Sequence, residues 1–185
     1  HYGDWLALDR TGAAVNSVYG ATDEAYIADI YYAASAQIVA KAAEVLGLEE
    51  TRQEYHKIAD RQWQVVKEEY FTATGRCAVK TQTGLILALK YHLSENEELT
   101  REMLKKLLRD NKNKLNTGFV GTPLLCNVLT DHGMTDAAYR LLLNEEYPGW
   151  LHEVKLGATT VWERWNSLDE SGHVSSTGMN SLNHY

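Results

Sequence analysis

The stretch Thr22-Asp-Glu-Ala-Tyr-Ile-Ala-Asp-Ile-Tyr-Tyr-Ala-Ala-Ser-Ala-Gln-Ile-Val-Ala-Lys-Ala-Ala-Glu-Val-Leu-Gly47 decides the fold class. Thr22, Asp23 and Glu24 supply what a helix N-terminus needs: a short side chain to accept its unpaired N–H groups and acids to face the positive end of its dipole. Ala25, Ile27, Ile30, Tyr31, Ala34, Ile38, Ala42 and Val45 recur at helical spacing. Gly47 then offers the left-handed residue on which helices commonly end. Residues 49–70 follow at once, with Tyr55, Ile58, Ala59, Gln62, Val65, Val66 and Glu69 on successive turns. Two helices joined by so short a connection form an antiparallel hairpin.

The same reading extends outward. Upstream, Gly3, Gly12, Asn16 and Gly20 prevent any sustained period, so residues 1–22 are expected as loop. Downstream, residues 71–80 form a loop and Thr81 caps a third helix over 82–92. That helix is apolar on nearly every face and must be buried. A fourth, 97–114, sets Leu99, Met103, Leu104, Leu107 and Leu108 opposite Arg101, Lys105, Lys106 and Arg109, a solvated charged face rather than a binding patch. After the Gly/Thr/Pro loop 116–123 come helices over 124–132 and 136–145 and a short one over 150–156. No segment alternates with period two, so strands are limited to short ribbons beside the loops.

Amphipathic helices alternate with more apolar ones, which is how successive hairpins lay down inner and outer rings. The glycine-rich loops 72–80, 116–122 and 157–166 are expected to gather at one end, where a site would lie. No residue pattern repeats at a fixed period, which argues against an open solenoid.

Composition narrows the function. The 185 residues suffice for one domain with a real core; 44% are hydrophobic and 23% charged, in the globular range. No apolar run approaches the length of a membrane span. A formal net charge of −7 argues against nucleic-acid binding and leaves neutral ligands such as sugars unopposed. Cys77 and Cys126 have no partner at redox-motif or metal-motif spacing and read as free thiols. His152, His173 and Glu153 lie near loops without ligand spacing, so neither a metal nor a cofactor is expected.

One carboxylate stands apart. Gly157-Ala-Thr-Thr-Val-Trp-Glu-Arg-Trp-Asn166 sets Glu163 among Trp162, Arg164 and Trp165 in a turn-rich setting. Indole faces to stack a pyranose, a carboxylate to move a proton and hydrogen-bonding groups for hydroxyls are what a sugar-processing site requires. The structural alternative is a surface Glu–Arg pair beside core tryptophans. Glu163 must be ionised to act as a base; Trp162 and Trp165 would oppose this by desolvation, and Arg164 would favour it if folded back. Asp4 and Trp5 form a second such pairing, able to bind a hydroxyl and stack a ring from one short segment; the structural alternative, and the default for a bare dipeptide, is a core Trp beside a turn Asp.

Five blocks carry a family resemblance: Gly3-Asp-Trp-Leu-Ala-Leu-Asp9, Thr117-Gly-Phe-Val-Gly-Thr-Pro123, Tyr147-Pro-Gly-Trp-Leu151, Gly157-Ala-Thr-Thr-Val-Trp-Glu-Arg-Trp165 and Gly178-Met-Asn-Ser-Leu-Asn-His-Tyr185. In this order they resemble the catalytic domain of bacterial α-L-rhamnosidases across essentially the whole chain. The resemblance implies an all-α fold, part of an (α/α)6 barrel, and inverting hydrolysis of terminal α-L-rhamnosyl linkages. It implies Glu163 as general base and Asp4, Trp5 and His184 as rhamnose-contacting residues, His184 serving equally well as a structural histidine; Trp162 and Trp165 join the substrate-binding set as the indoles beside Glu163. The family's general acid belongs to an Asp-Glu-Arg-Leu-Gly-Trp type block that this sequence does not contain. We therefore expect residues 1–185 to be an excised internal segment, roughly the C-terminal half of a barrel, inactive by itself and able to associate through exposed barrel flanks. A barrel hydrolase for a different sugar and a helical-hairpin interaction module are the competing readings. The sequence leaves the cellular compartment open.

Overall fold

The computed structural model describes residues 2–15, 17–169, 171–174 and 180–184. Among these residues seven α-helices follow one another: α1 Glu24–Val45, α2 Glu49–Tyr70, α3 Gln82–Lys90, α4 Glu97–Asp110, α5 Thr122–Asp131, α6 Thr135–Leu142 and α7 Trp150–Lys155. A 3-10 turn, Gly12–Ala14, interrupts the first loop. Among the described residues the only ribbon-like pairings outside the helices are isolated bridges between Trp5 and Tyr19, Phe71 and Cys77, and Leu168 and Val174. No helix among them is long and apolar enough to cross a membrane.

The helix ends follow their capping chemistry. The Asp23 carboxylate accepts the N–H of Tyr26 at the start of α1, the Thr81 hydroxyl that of Gly84 in α3, and the Asn96 amide oxygen that of Leu99 in α4. Gly47 takes a left-handed φ of 68° between α1 and α2, and the two helices pack along each other as a hairpin. Helix α4 stops at Asp110, short of the expected Lys114, because Lys112 and Asn113 both turn left-handed, each with φ 55°. Pro123 falls in the first turn of α5, where a missing N–H costs nothing, and that helix starts two residues earlier than its apolar run.

Helix α3 is the centre of the core. Its residues from Gln82 to Leu89 are all buried, with α4 and α5 packed against it. Tyr26 and Ile30 of α1, Leu104 and Leu108 of α4 and Leu125 and Leu129 of α5 complete the cluster. Burying each leucine stabilises the fold by roughly 1.5–3 kcal/mol relative to leaving it in water.

Helix α1 differs from expectation in the face it buries. Tyr26, Ile27, Ile30, Ala33, Ala34, Ala36, Ala40 and Ala43 point inward, whereas Tyr31, Ile38, Ala42 and Val45 lie on the exposed side. The alanines let α2 approach closely, so small side chains rather than bulky ones set that contact. The outer side keeps Tyr32, Ile38, Val45 and Leu46 exposed, Val45 to 86%.

Candidate functional site

Two of the three glycine-rich loops meet at one end of the helices. The exception is 72–80: its tip packs on the α3–α4 turn, where Ser94 donates its hydroxyl hydrogen to the Gly75 carbonyl at 2.6 Å. At the meeting end, the N-terminal segment threads against loop 116–122. Phe119 N donates to the Trp5 carbonyl at 2.9 Å, and Leu8 N to that of Asn116 at 2.9 Å. The approach is so close that a Cβ on Gly118 would lie 2.1 Å from the Trp5 carbonyl oxygen.

Asp4 ties these segments together. It is fully buried, and its carboxylate accepts from Thr83 Oγ1 at 2.5 Å, Gly118 N at 2.9 Å, Val120 N at 2.8 Å and Gly121 N at 3.3 Å. A charge can be buried when so many donors face it. The structure thus places Asp4 in the interior as a clamp between the start of α3 and the approach to α5, instead of on a ligand-facing surface. Trp5 likewise sits aside, edge-on between Tyr2 and Tyr19 with ring centroids 5.5 and 5.3 Å away.

Beyond this clamp opens a cavity of ≈ 270 Å³. Trp150, Trp162, Trp165 and Phe119 supply aromatic wall, Leu6, Val161 and Pro123 aliphatic wall, and Glu163 its one carboxylate among the described residues. Trp165 is fixed by an indole N–H donated to the Thr117 carbonyl at 3.3 Å and by an edge-on contact with Trp150 at 5.3 Å. Trp162 is only 6% exposed, so little of its ring is open to the cavity.

Glu163 is half-buried. Its backbone N donates to the Ser181 carbonyl at 2.9 Å, and Ser181 N returns a bond to Glu163 Oε2 at 2.8 Å. Among the described residues it has no ion pair. Arg164 does not fold back on it: that side chain lines a separate recess with Leu8, Val15 and Val18. His184 is exposed and stacks on Phe119 at 5.1 Å, and its backbone N donates to the Val161 carbonyl at 3.0 Å. The final segment therefore runs beside 160–163, pinned also by Ser167 Oγ donating to Asn180 Oδ1 at 2.7 Å. Of the last sequence block, Gly178, Met179 and Tyr185 lie outside the described residues.

Glu153 of α7 lies beneath this wall. It is 3% exposed, and burial pushes its carboxyl up to about 7 although the Trp162 backbone N–H partly offsets the shift. Among the described residues its Oε1 has no hydrogen-bond partner, as a carboxyl that keeps its proton can tolerate.

Sequence reasoning missed Leu6, Phe119 and Trp150 as wall residues. Each stands inside one of the recognisable blocks, but only the fold shows that they converge.

This geometry belongs to the wall of a helical-hairpin barrel, with a carboxylate-bearing cavity at the loop end. Over residues 1–185 the chain matches the family model described as bacterial alpha-L-rhamnosidase 6 hairpin glycosidase domain, and it belongs to that family. It is 39% identical over 169 residues to an alpha-L-rhamnosidase of Formosa agariphila, covering 90% of this chain and 18% of that protein. An alpha-L-rhamnosidase of Alteromonas sp. strain LOR is 36% identical over 188 residues, with coverages of 100% and 20%. The solved alpha-L-rhamnosidase of Aspergillus terreus superposes with a TM-score of 0.89 at 30% identity, over 99% of this chain and 21% of that one. That of Streptomyces avermitilis, complexed with L-rhamnose, gives 0.85 at 34% identity over 99% and 17%. The chain thus spans about a fifth of the length of the relatives it matches, and its architecture is that of part of an (α/α)6 barrel.

Proposed function

We propose that this chain forms the base-bearing side of an α-L-rhamnosidase active site, within a longer protein that hydrolyses terminal α-L-rhamnosyl linkages with inversion. The observation that carries this reading is the setting of Glu163: on the wall of an aromatic-lined cavity, one oxygen held by the Ser181 N–H, and no cation paired with it among the described residues. The carboxylate takes a proton from a water molecule as that water attacks the anomeric carbon. Trp165 and Phe119 provide rings against the sugar's apolar face, Trp162 closes the floor, and His184, stacked on Phe119, contacts hydroxyls at the rim. Asp4 and Trp5 act through position, by holding loop 116–122. The cavity volume, ≈ 270 Å³ against ~300–1,000 Å³ for small-molecule pockets generally, suits one terminal sugar rather than a chain.

Inversion needs a second carboxyl about 6.5–9.5 Å from the first to protonate the leaving oxygen. Among the described residues Glu163 is the one carboxylate on the wall, and Glu153 lies under it out of reach of a ligand. We place the general acid outside residues 1–185 and take the segment as roughly the C-terminal half of the barrel, further hairpins covering the apolar outer side of α1. Glu163→Gln in the full-length protein keeps shape and removes basicity. Release of a chromophore from an aryl α-L-rhamnoside is expected to fall about 10²–10⁴-fold with rhamnose binding retained. Unchanged turnover would place the base elsewhere. The isolated 185-residue chain is expected to give no turnover.

A further inference from the structure

Helices α3 and α5 present their N-terminal turns to the site, through Thr83 on Asp4 and through Thr122 and Pro123 on the cavity wall. Their opposite ends bring two imidazoles together. His92 follows just after Lys90, the last residue of α3, and His132 directly after Asp131, the last of α5; the ring centroids are 5.8 Å apart. Glu97, the first residue of α4, reaches both. Its Oε1 is 2.7 Å from His92 Nδ1 and its Oε2 is 3.6 Å from His132 Nδ1. One ligand atom from each residue lies within 4.8 Å of the others.

Imidazole nitrogen and carboxylate oxygen together suit borderline divalent cations, above all Zn²⁺, at about 2.0–2.2 Å from each donor. Tetrahedral ligation at that radius separates donors by about 3.3 Å, a value bracketed by the 2.7 and 3.6 Å found here. Small side-chain rotations would complete the fit. The Glu97 carboxylate is the anionic donor, and the C-terminal ends of α3 and α5 add partial negative charge, offset in part by the N-terminal end of α4 from which Glu97 projects. Of the cations nearby, Arg101 is engaged by Glu98 and by the His132 carbonyl at 3.2 Å, and Lys67, which lines a recess with His92 and Lys90, is paired with Glu95. Side-chain exposures of 71% for His92, 35% for Glu97 and 11% for His132 leave one open approach for an ion and its remaining water ligands.

We propose that His92, Glu97 and His132 form a binding site for a borderline divalent cation, with Zn²⁺ the best match, fastening the ends of α3, α4 and α5 on the side of the domain away from the sugar cavity. The sequence reading anticipated no metal because these ligands come from three helices and follow no spacing motif.

The test is calorimetric titration of ZnCl₂ into the tag-free, chelator-stripped full-length protein, the His92→Ala and Glu97→Gln variants and the doubly substituted His92→Ala/His132→Ala protein. His92 is exposed enough for its removal to leave the fold intact, which far-UV circular dichroism checks. Zinc bound by the parent protein, with affinity at least tenfold weaker in His92→Ala and in Glu97→Gln and the equivalent lost in the double variant, supports the site. A change of less than tenfold in His92→Ala, or no zinc bound by the parent at all, overturns it. Zinc should also raise the melting temperature of the parent but not of His92→Ala.

Discussion

Ser181 and Glu163 are joined twice, backbone N–H of Glu163 to the Ser181 carbonyl and backbone N–H of Ser181 to the Glu163 carboxylate, at 2.9 and 2.8 Å. The pairing aims the carboxylate through a main-chain group. Proline at position 181 lacks that N–H. A hydrogen bond to a charged group contributes about 1.5–3 kcal/mol, roughly ten- to a hundredfold in rate. Ser181→Pro in the full-length protein should lower rhamnoside hydrolysis by about that factor, while Ser181→Ala, which keeps the N–H, should stay near the parent rate. Equal losses in both variants would mean that the N–H does not position the carboxylate.

Glu153 makes stability depend on pH. In the unfolded chain it releases its proton near the ordinary 4.5, whereas burial in the fold holds the proton up to about 7. Its contribution is complete below 4.5, declines as pH rises through the window between the two values, and is gone above about 7. Glu153→Gln imitates the protonated form at every pH. The urea midpoint of the parent should therefore drop between pH 5 and pH 8 by more than that of Glu153→Gln; parallel profiles would contradict the assignment.

Asp4 can be tested by a nearly isosteric change. In Asp4→Asn the amide turns its own N–H group toward backbone donors, leaving some of them buried and unsatisfied. Leaving a buried donor unpaired costs about 1–3 kcal/mol. Urea unfolding should show a loss of that size, and a loss below about 1 kcal/mol would mean that the clamp is dispensable.

Gly118 is required for space alone. A methyl group there would meet the Trp5 carbonyl oxygen at 2.1 Å and Ala7 N at 2.7 Å, both main-chain atoms that cannot swing away. Gly118→Ala should cost about 3 kcal/mol by forcing the two segments apart, read as a lower thermal midpoint. Gly133→Ala makes the steric comparison, since nothing lies within 4 Å of the Cβ it would add; any cost there comes from its φ of 73° alone.

What the sequence revealed depended on whether the deciding interaction was local. Asp23, Gly47 and Thr81 announced helix ends because a cap acts within four residues of itself. The inward face of α1 is misjudged from sequence because its five buried alanines outweigh the larger Ile38 and Val45 only when α2 is present to pack on them. Glu163 was legible through its unusual neighbours, but the direction of Arg164 and the grip of Ser181 were not, since each depends on chain far away in sequence. Asp4 looked like a ligand-binding acid for the same reason: its partners, Thr83 and residues 118–121, declare themselves only in three dimensions.

Helix α3 is nine residues long and enclosed on every side from Gln82 to Leu89. A rod so short and so tightly socketed has no freedom to bend and can shift only as one piece. A packing defect at Ile86, midway along it, would register at both tips, loosening the Thr83 contact with Asp4 and disturbing the turn that carries His92.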